Sequence, residues 1–332
     1  MKKINISQIN DEDIHYTESI IKKHWKKRKI YKPSDNLREL QRNILWQIKE
    51  YFFSLDFNDK KSYKDLSINK KEFKYVYSYI RKKNIADMAK NHLWKRHVLR
   101  IDIKSFFNSI SKEMIEKYMK LFFEENQVEV DNFEDFLKIV SYDNFLPIWA
   151  ITSPFISNVI WYYLLDKKIS SYLNKNINYS RYADDLIFSS NDEDIKKYVE
   201  KIKEIINESW FEENIEKRKI YHKWQRQLVT WICVNWKKIQ NTDLQPTIPI
   251  EKREEIRFYL YLMNKFWINR ALKFYKERIY VYGKKSKIRK KQINISEESF
   301  LKIIEWKINY FNMINKSQSE KLKKDFKFIT SF

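Results

Sequence analysis

Two adjacent carboxylates, Asp184 and Asp185, sit in the stretch Asn178–Ser190. Tyr179 and Tyr182 precede them, and Leu186, Ile187 and Phe188 follow. That pattern reads as two short strands with the aspartates at the turn between them. Neighbouring carboxylates repel each other, and a cation beside them relieves the cost. Hard oxygen donors suit Mg²⁺, which is usually held by one or two carboxylates plus substrate phosphates. A bare Asp-Asp pair is more often a solvated turn, so the reading needs a third carboxylate. Val98-Leu99-Arg100-Ile101-Asp102-Ile103 supplies it, with Asp102 inside a buried-strand run. Such a set fits two-metal phosphoryl transfer, in which one ion activates an attacking 3′-oxygen and the other steadies the leaving pyrophosphate.

Asp102-x-x-x-Phe106-Phe107 followed by Tyr182-Ala183-Asp184-Asp185 resembles motifs A and C of reverse transcriptases. Between them, Leu146 to Asn158 resembles motif B, usually written Leu-Pro-Gln-Gly-x-x-Thr-Ser-Pro. Ile148 stands where that family has Gln, and Trp149 where it has Gly. Thr152, Ser153 and Pro154 match, and predict a helix start capped by Thr152 or Ser153. Met88-Ala89-Lys90-Asn91-His92 is similar to the Asn-Ala-x-x-His signature of retron enzymes, with Met88 replacing Asn. Val229-Thr230-Trp231 resembles their Val-Thr-Gly. The resemblance to retron-type bacterial reverse transcriptases covers roughly residues 25–320.

The resemblance implies an α/β (α+β) right-hand polymerase. Residues 1–245 would form the fingers and a palm with an antiparallel sheet packed on helices, and 246–332 a helical thumb. It implies an RNA-directed DNA polymerase that uses a cognate structured noncoding RNA as template and primer, priming from a 2′-OH. The product would be a short RNA-linked DNA with a role in antiphage defence, and an effector protein would be a further partner. Asp102, Asp184 and Asp185 would hold two Mg²⁺. Asn214 to Lys219 resembles motif D, which makes Lys217 a candidate proton donor to pyrophosphate; a surface lysine is the plain alternative. For dNTP binding the candidates are Arg28 and Lys32 in the basic strand-turn Trp25–Pro33, Phe107 at the steric-gate position, and Ile148 and Trp149. For RNA they are His92, Thr230, Arg257, Lys284, Lys285 and Arg289, with a structural helix-end histidine as the alternative for His92. Two other readings stay open: another defence-type or CRISPR-linked reverse transcriptase, and a non-catalytic RNA-binding scaffold. The intact carboxylates disfavour the scaffold.

The 332 residues suit one enzyme of two to three subdomains. A net charge of +22 and a pI of about 9.6 read as a polyphosphate-binding surface, although an AT-rich genome also accumulates lysine. The single cysteine, Cys233, sits in an apolar run; it excludes an internal disulfide and suits a reducing, cytoplasmic setting. No signal peptide or membrane-spanning run is visible, so no membrane partner is expected.

Several elements are expected around these motifs. Residues 1–24 read as helix. Leu37, Leu40, Ile44, Leu45 and Ile48 recur at helical spacing. Residues 111–145 read as helix, acidic loop and helix, Ile195–Ile206 as an amphipathic helix, and 250–332 as mostly helical. In the last stretch Arg257, Tyr259, Arg270, Lys273, Tyr275 and Arg278 interleave cations and aromatics.

One glycine, Gly283, stands where average usage of about 7% predicts roughly 23. There are eleven tryptophans. Trp94, Trp149, Trp210 and Trp231 stand at family glycine positions, and Trp25, Trp224, Trp267 and Trp306 at plausible ones. This pattern is expected when a gene that reads UGA as glycine is translated with a table that reads UGA as tryptophan. The alternative is a truly Trp-rich, Gly-poor protein.

Overall fold

A computed structural model describes residues 2–6, 9, 11–23, 26–53, 73–80, 82–192, 195–235, 246–284 and 295–331. Trp25, Trp236, Lys285, Arg289 and most of the lysine-rich stretch 56–74 lie outside the described residues.

The chain opens with strands, not the helix expected over residues 1–24. β1 (Lys2–Ile4), β2 (Tyr16–Lys23) and β3 (Lys26–Pro33) come first, with β2 paired to β3. The reason is long-range: β1 pairs in parallel with a strand more than a hundred residues away, so pairing overrides the local pattern. Helix α1 (Asp35–Phe53) follows, burying Leu37, Ile44 and Ile48 at the expected spacing. Next come α2 (Ile85–Lys90) and β4 (His97–Asp102). α3 (Lys112–Glu125) starts on the Ser111 side chain, which accepts from the Met114 N–H. The expected acidic loop contains β5 (Val128–Val130), the partner of β1. α4 (Phe133–Val140) and α5 (Ser153–Trp161) follow. α5 runs through a π-helical turn, Tyr162–Asp166, into α6 (Lys167–Tyr172).

β6 (Asn178–Tyr182) and β7 (Asp185–Ser190) form the expected hairpin around the two aspartates. α7 (Val199–Glu208) and β8 (Lys219–His222) come next. One sheet runs in the order β6-β7-β4-β8, with β6/β7 and β7/β4 antiparallel. Val98, Leu99 and Ile101 on β4 and Leu186, Ile187 and Phe188 on β7 are fully buried, as continuous apolar runs in central strands should be.

β9 (Leu228–Val229) and β10 (Ile232–Cys233) make a small hairpin. α8 (Ile250–Lys284), α9 (Glu297–Ile314) and α10 (Lys316–Thr330) end the chain as expected. α8 is interrupted at Phe266 and Trp267, whose backbones are not helical.

The chain divides into two compact units. The first is residues 1–21, 27–84 and 96–220, and holds β4, β6 and β7 of the four-stranded sheet with α1 and α3–α7. The second is 22–26, 85–95 and 221–332. The His92 segment and the Val229–Trp231 region therefore group with the C-terminal helices. Among the described residues no helix is long and apolar enough to cross a membrane.

Candidate active site

Register brings the sequence-distant carboxylates together. Asp102, the last residue of β4, lies opposite Asp185, the first of β7. The Ile103 N–H donates to the Asp184 carbonyl at 2.9 Å, tying the end of β4 to the turn. Asp102 is buried and Asp184 and Asp185 are half-buried.

Two protein cations already serve two of these carboxylates. Lys217 Nζ lies 2.6 and 2.8 Å from the oxygens of Asp102, and Asn214 Nδ2 donates to Asp102 Oδ1 at 3.1 Å. Arg100, two residues before Asp102 on β4, grips Asp185: Nε at 3.0 Å and Nη2 at 2.9 Å from Oδ1, and Nη2 at 3.2 Å from Oδ2. The fork geometry of guanidinium suits a carboxylate in this way. Arg100 is a site residue that sequence reasoning missed. Its position two residues before Asp102, on the same strand face, was the available signal.

Among the described residues Asp184 has no such cation paired with it. Burial, then the charges of Asp185 and Asp102, push its pKa up to about 6. Burial also raises Asp185, with Arg100 opposing. A set of hard oxygen donors that repel one another fits a divalent cation. Among the described residues no group of three or more His, Cys, Asp or Glu side chains stands ready to hold an ion. The physical reason is that Asp102 and Asp185 are turned to Lys217 and Arg100. Asp184 must lose its proton before ligating a metal. Mn²⁺ binding, read by electron paramagnetic resonance, is therefore expected to weaken as pH falls through about 6 and to release a proton. Affinity that stays flat between about pH 5 and pH 8 would contradict this assignment.

The other candidates fall into three groups. Near the carboxylates in sequence, Phe106 is buried and stacked on Trp161 at 4.8 Å, whereas Phe107 is half-buried. Tyr79, at φ 59°, lies 6.4 Å from the Phe107 ring; half of the residue is exposed, while desolvation of its hydroxyl end and then the nearby Asp184 charge push that hydroxyl up to about 12. Arg28 and Lys32 are exposed on β3. The adjacent Tyr31 N–H donates to the Ile148 carbonyl at 3.1 Å, which joins β3 to the motif B loop. On the other side of that loop, buried Gln41 of α1 accepts from the Ile151 N–H at 3.0 Å. Gln41 shows no periodic signal that could have revealed this contact.

In motif B, Thr152 occupies the N-cap position but its hydroxyl makes no capping bond, contrary to expectation. Its φ/ψ is helical, which turns the side chain away from the following N–H groups. Ser153 Oγ instead donates to the Pro147 carbonyl at 2.7 Å. Ile148 is half-buried, and Trp149 is exposed with φ 84°.

Of the RNA candidates, the structure corrects two. His92 is fully buried and its pKa is pushed down to about 3 by that burial, so it is a neutral packing residue, not a surface contact. Met88 is equally buried, which suits an apolar residue in place of the polar Asn. Thr230 is also buried, at φ 55°, with Oγ1 2.5 Å from its neighbour's carbonyl oxygen. Arg257 is half-exposed and paired with Glu254 at 2.6 Å. It lines a groove with Tyr261, Asn264, Lys321, Asp325 and Phe328. Lys284 ends α8. Of the interleaved aromatics, Tyr259 and Tyr275 pack on Phe300 at 5.9 and 5.2 Å and belong to the core of the second unit.

Comparison with known proteins gives the family. The family model described as reverse transcriptase (RNA-dependent DNA polymerase) matches residues 20–259. The Retron Ec83 reverse transcriptase of Escherichia coli is 31% identical over 179 residues, 51% of this chain and 50% of the relative. The Retron Ec73 reverse transcriptase of the same species is 26% identical over 262 residues, 74% of this chain and 75% of the relative. The chain thus spans about half the length of the first relative and three quarters of the second. Among solved structures, a telomerase from Candida albicans, in complex with a fragment of telomeric RNA, superimposes with a TM-score of 0.49. It is 11% identical, and the match covers 94% of this chain and 61% of that one. Divalent-metal dependence is a general property of reverse transcriptase domains, and the mixed helix-and-sheet architecture is that of a right-hand polymerase. With more than two thirds of its length matched by the family model, and with retron enzymes among its relatives, the chain belongs to the reverse transcriptase family.

Proposed function

We propose that this chain is the RNA-directed DNA polymerase of a retron. The observation that carries the reading is the register that sets Asp102 opposite Asp185 with Asp184 in the adjoining turn. Its template and primer is a cognate structured noncoding RNA, and its product a short single-stranded DNA linked to that RNA. Antiphage defence in the cytoplasm, with an effector protein as partner, is the physiological setting we infer from the retron-type resemblance. Residues 1–245 act as fingers and palm and 246–332 as thumb.

Asp102, Asp184 and Asp185 would hold two Mg²⁺; when bound, the ions activate the attacking hydroxyl and neutralise charge on the phosphates. With Asp102 holding an ion, Lys217 would no longer be needed as its partner, and its ammonium could give a proton to the departing pyrophosphate. Arg28 and Lys32 neutralise the triphosphate from β3. Trp149 and the Ile148 backbone border the incoming nucleotide. Arg257, Lys284, Lys285 and Arg289 track the nucleic-acid backbone, which makes binding strongly salt-dependent.

From the reverse transcriptase resemblance, Phe107 is the residue that excludes a ribose 2′-OH. Phe107→Ala is expected to raise incorporation of NTP relative to dNTP by about tenfold or more. An unchanged ratio, from primer-extension kinetics with paired nucleotides, would remove Phe107 from this role.

The test of the function is Mg²⁺-dependent dNTP incorporation on an RNA template, with and without RNA transcribed from the gene's own flank. Incorporation that needs the flanking RNA and yields DNA covalently joined to it supports the retron reading. Incorporation indifferent to that RNA points to another type of reverse transcriptase.

We further propose that several tryptophans are UGA codons read as glycine in the native host. Trp94, Trp149, Trp210 and Trp267 all have positive φ, at 56°, 84°, 65° and 68°. Such backbones are the ones for which glycine is the default. At Trp231 the positive φ falls on the preceding Thr230 instead, and Trp306 lies inside α9. Peptide mass spectrometry of the native protein decides each position.

A further inference from the structure

A chain of buried polar contacts runs from the π-helical turn to the Asp-Asp turn. Asp166, at the end of the π-helical turn, takes a forked ion pair from Arg181 of β6: Nε at 3.0 and 3.1 Å, Nη2 at 2.8 Å. Both side chains are fully buried. Tyr179 OH donates to the same carboxylate at 2.6 Å, and its raised pKa keeps it a donor. Arg181 Nη1 then donates to Asn158 Oδ1 at 3.2 Å, and Asn158 Nδ2 to the Ser78 carbonyl at 3.0 Å. Ser78 Oγ accepts from the Ala183 N–H at 2.8 Å. Ser78 and Asn158 are fully buried too.

Ala183 is the residue that turns the hairpin immediately before Asp184. Its φ is 51°, a left-handed backbone at a non-glycine residue. Such a conformation persists only where its surroundings over-determine it. The Ser78 hydroxyl supplies that constraint from outside the hairpin. The main chain adds a second: Arg181 N–H donates to the Tyr75 carbonyl at 2.8 Å, and Tyr77 N–H to the Arg181 carbonyl at 2.9 Å. The segment 75–78 is thus laced to β6 along its length, and α5 holds both through Asn158.

We propose that Ser78 and Arg181 are positioning residues for the two turn carboxylates. Ser78 pins the left-handed residue that aims Asp184. Arg181, through Asp166 and Asn158, clamps β6 and the Ser78 segment to α5. Neither side chain touches a reacting atom. Loss of either lets the turn relax, which misplaces the metal-binding oxygens while leaving the nucleotide contacts on β3 and at Phe107 in place. This inference rests on the polymerase reading above.

The test compares the full chain with Ser78→Ala and Arg181→Lys. Ser78→Ala removes one oxygen and leaves the ion pair intact, so it keeps the fold even where Arg181→Lys does not. Three quantities are read: Mn²⁺ affinity by electron paramagnetic resonance without substrate, the Mg²⁺ concentration for half-maximal incorporation, and KM for dNTP. For Ser78→Ala the first two are expected to weaken about tenfold, a shift of roughly 1.4 kcal/mol, with KM for dNTP unchanged. Unchanged metal affinity in a folded Ser78→Ala protein overturns the proposal. So does a loss confined to KM for dNTP. Absence of incorporation by the unaltered chain overturns the polymerase reading instead, and the Mn²⁺ measurement still judges the positioning role.

Discussion

Asp184→Asn is expected to abolish dNTP incorporation, by about 10³-fold or more, while making the metal-free protein more stable at pH 8. The two effects share one cause. Asp184 is the carboxylate at the turn that has no cation paired with it among the described residues, and burial and its two acidic neighbours raise its pKa to about 6. A carboxyl whose folded pKa is raised binds its proton more tightly folded than unfolded. Its ionised form therefore costs stability above about pH 6, and that cost fades as pH falls toward the unfolded value near 4. Asn keeps the shape and removes the charge. After allowance for solvent at a half-buried group, the gain at pH 8 is about 1 kcal/mol, or roughly 2–4 °C in Tm. At pH 4 the two proteins are expected to melt within about a degree of each other. Differential scanning fluorimetry at both pH values, beside primer extension, checks the pair. Retained synthesis in Asp184→Asn would show that the turn is not the catalytic centre. Lost synthesis with lowered stability at pH 8 would show a structural role for the carboxylate.

Restoring glycine at residues 94, 149, 210 and 267 together is expected to raise the melting temperature by about 5 °C or more. A left-handed backbone costs an L-residue roughly 1–2 kcal/mol, and glycine pays none of that strain. Trp267 is the extreme case. At φ 68° and ψ 163° it occupies a region populated almost only by glycine, and it interrupts α8 there. Little packing is sacrificed at Trp149, Trp210 and Trp267, which are 58%, 78% and 81% exposed, and some at half-buried Trp94. Glycine's freedom in the unfolded chain returns roughly 0.5–1 kcal/mol per site to the other side. The sites are far apart in sequence, and contributions from sites without shared partners add. Trp306→Gly is the control. It lies inside α9, where glycine costs about 1 kcal/mol, so it should lower the melting temperature. A uniform fall in stability across all five substitutions would mean that the indole rings are integral to the fold. For Trp149→Gly alone, a rise in incorporation rate is expected as well, because this exposed ring borders the motif B loop.

The sequence alone determined the chemistry and the elements that carry it. Paired aspartates between two short apolar stretches read as a turn between strands, and the apolar run around Asp102 as a buried strand. The helical spacing of Leu37, Ile44 and Ile48 fixed α1 for the same local reason. Tertiary structure decided what depends on partners distant in the chain. β1 is a strand because β5 pairs with it, which no local pattern within residues 1–24 could announce. Arg100 and Lys217 reach the carboxylates through the register of the sheet and the turn after α7. His92 looks like a contact residue beside its motif, yet burial makes it a neutral part of the core. Ser78 carries no motif at all; only the fold sets its hydroxyl 2.8 Å from the Ala183 N–H. Local pattern specifies periodicity and donor type. Which side chains meet is set by long-range pairing and burial, and that information lies in no single stretch of the chain.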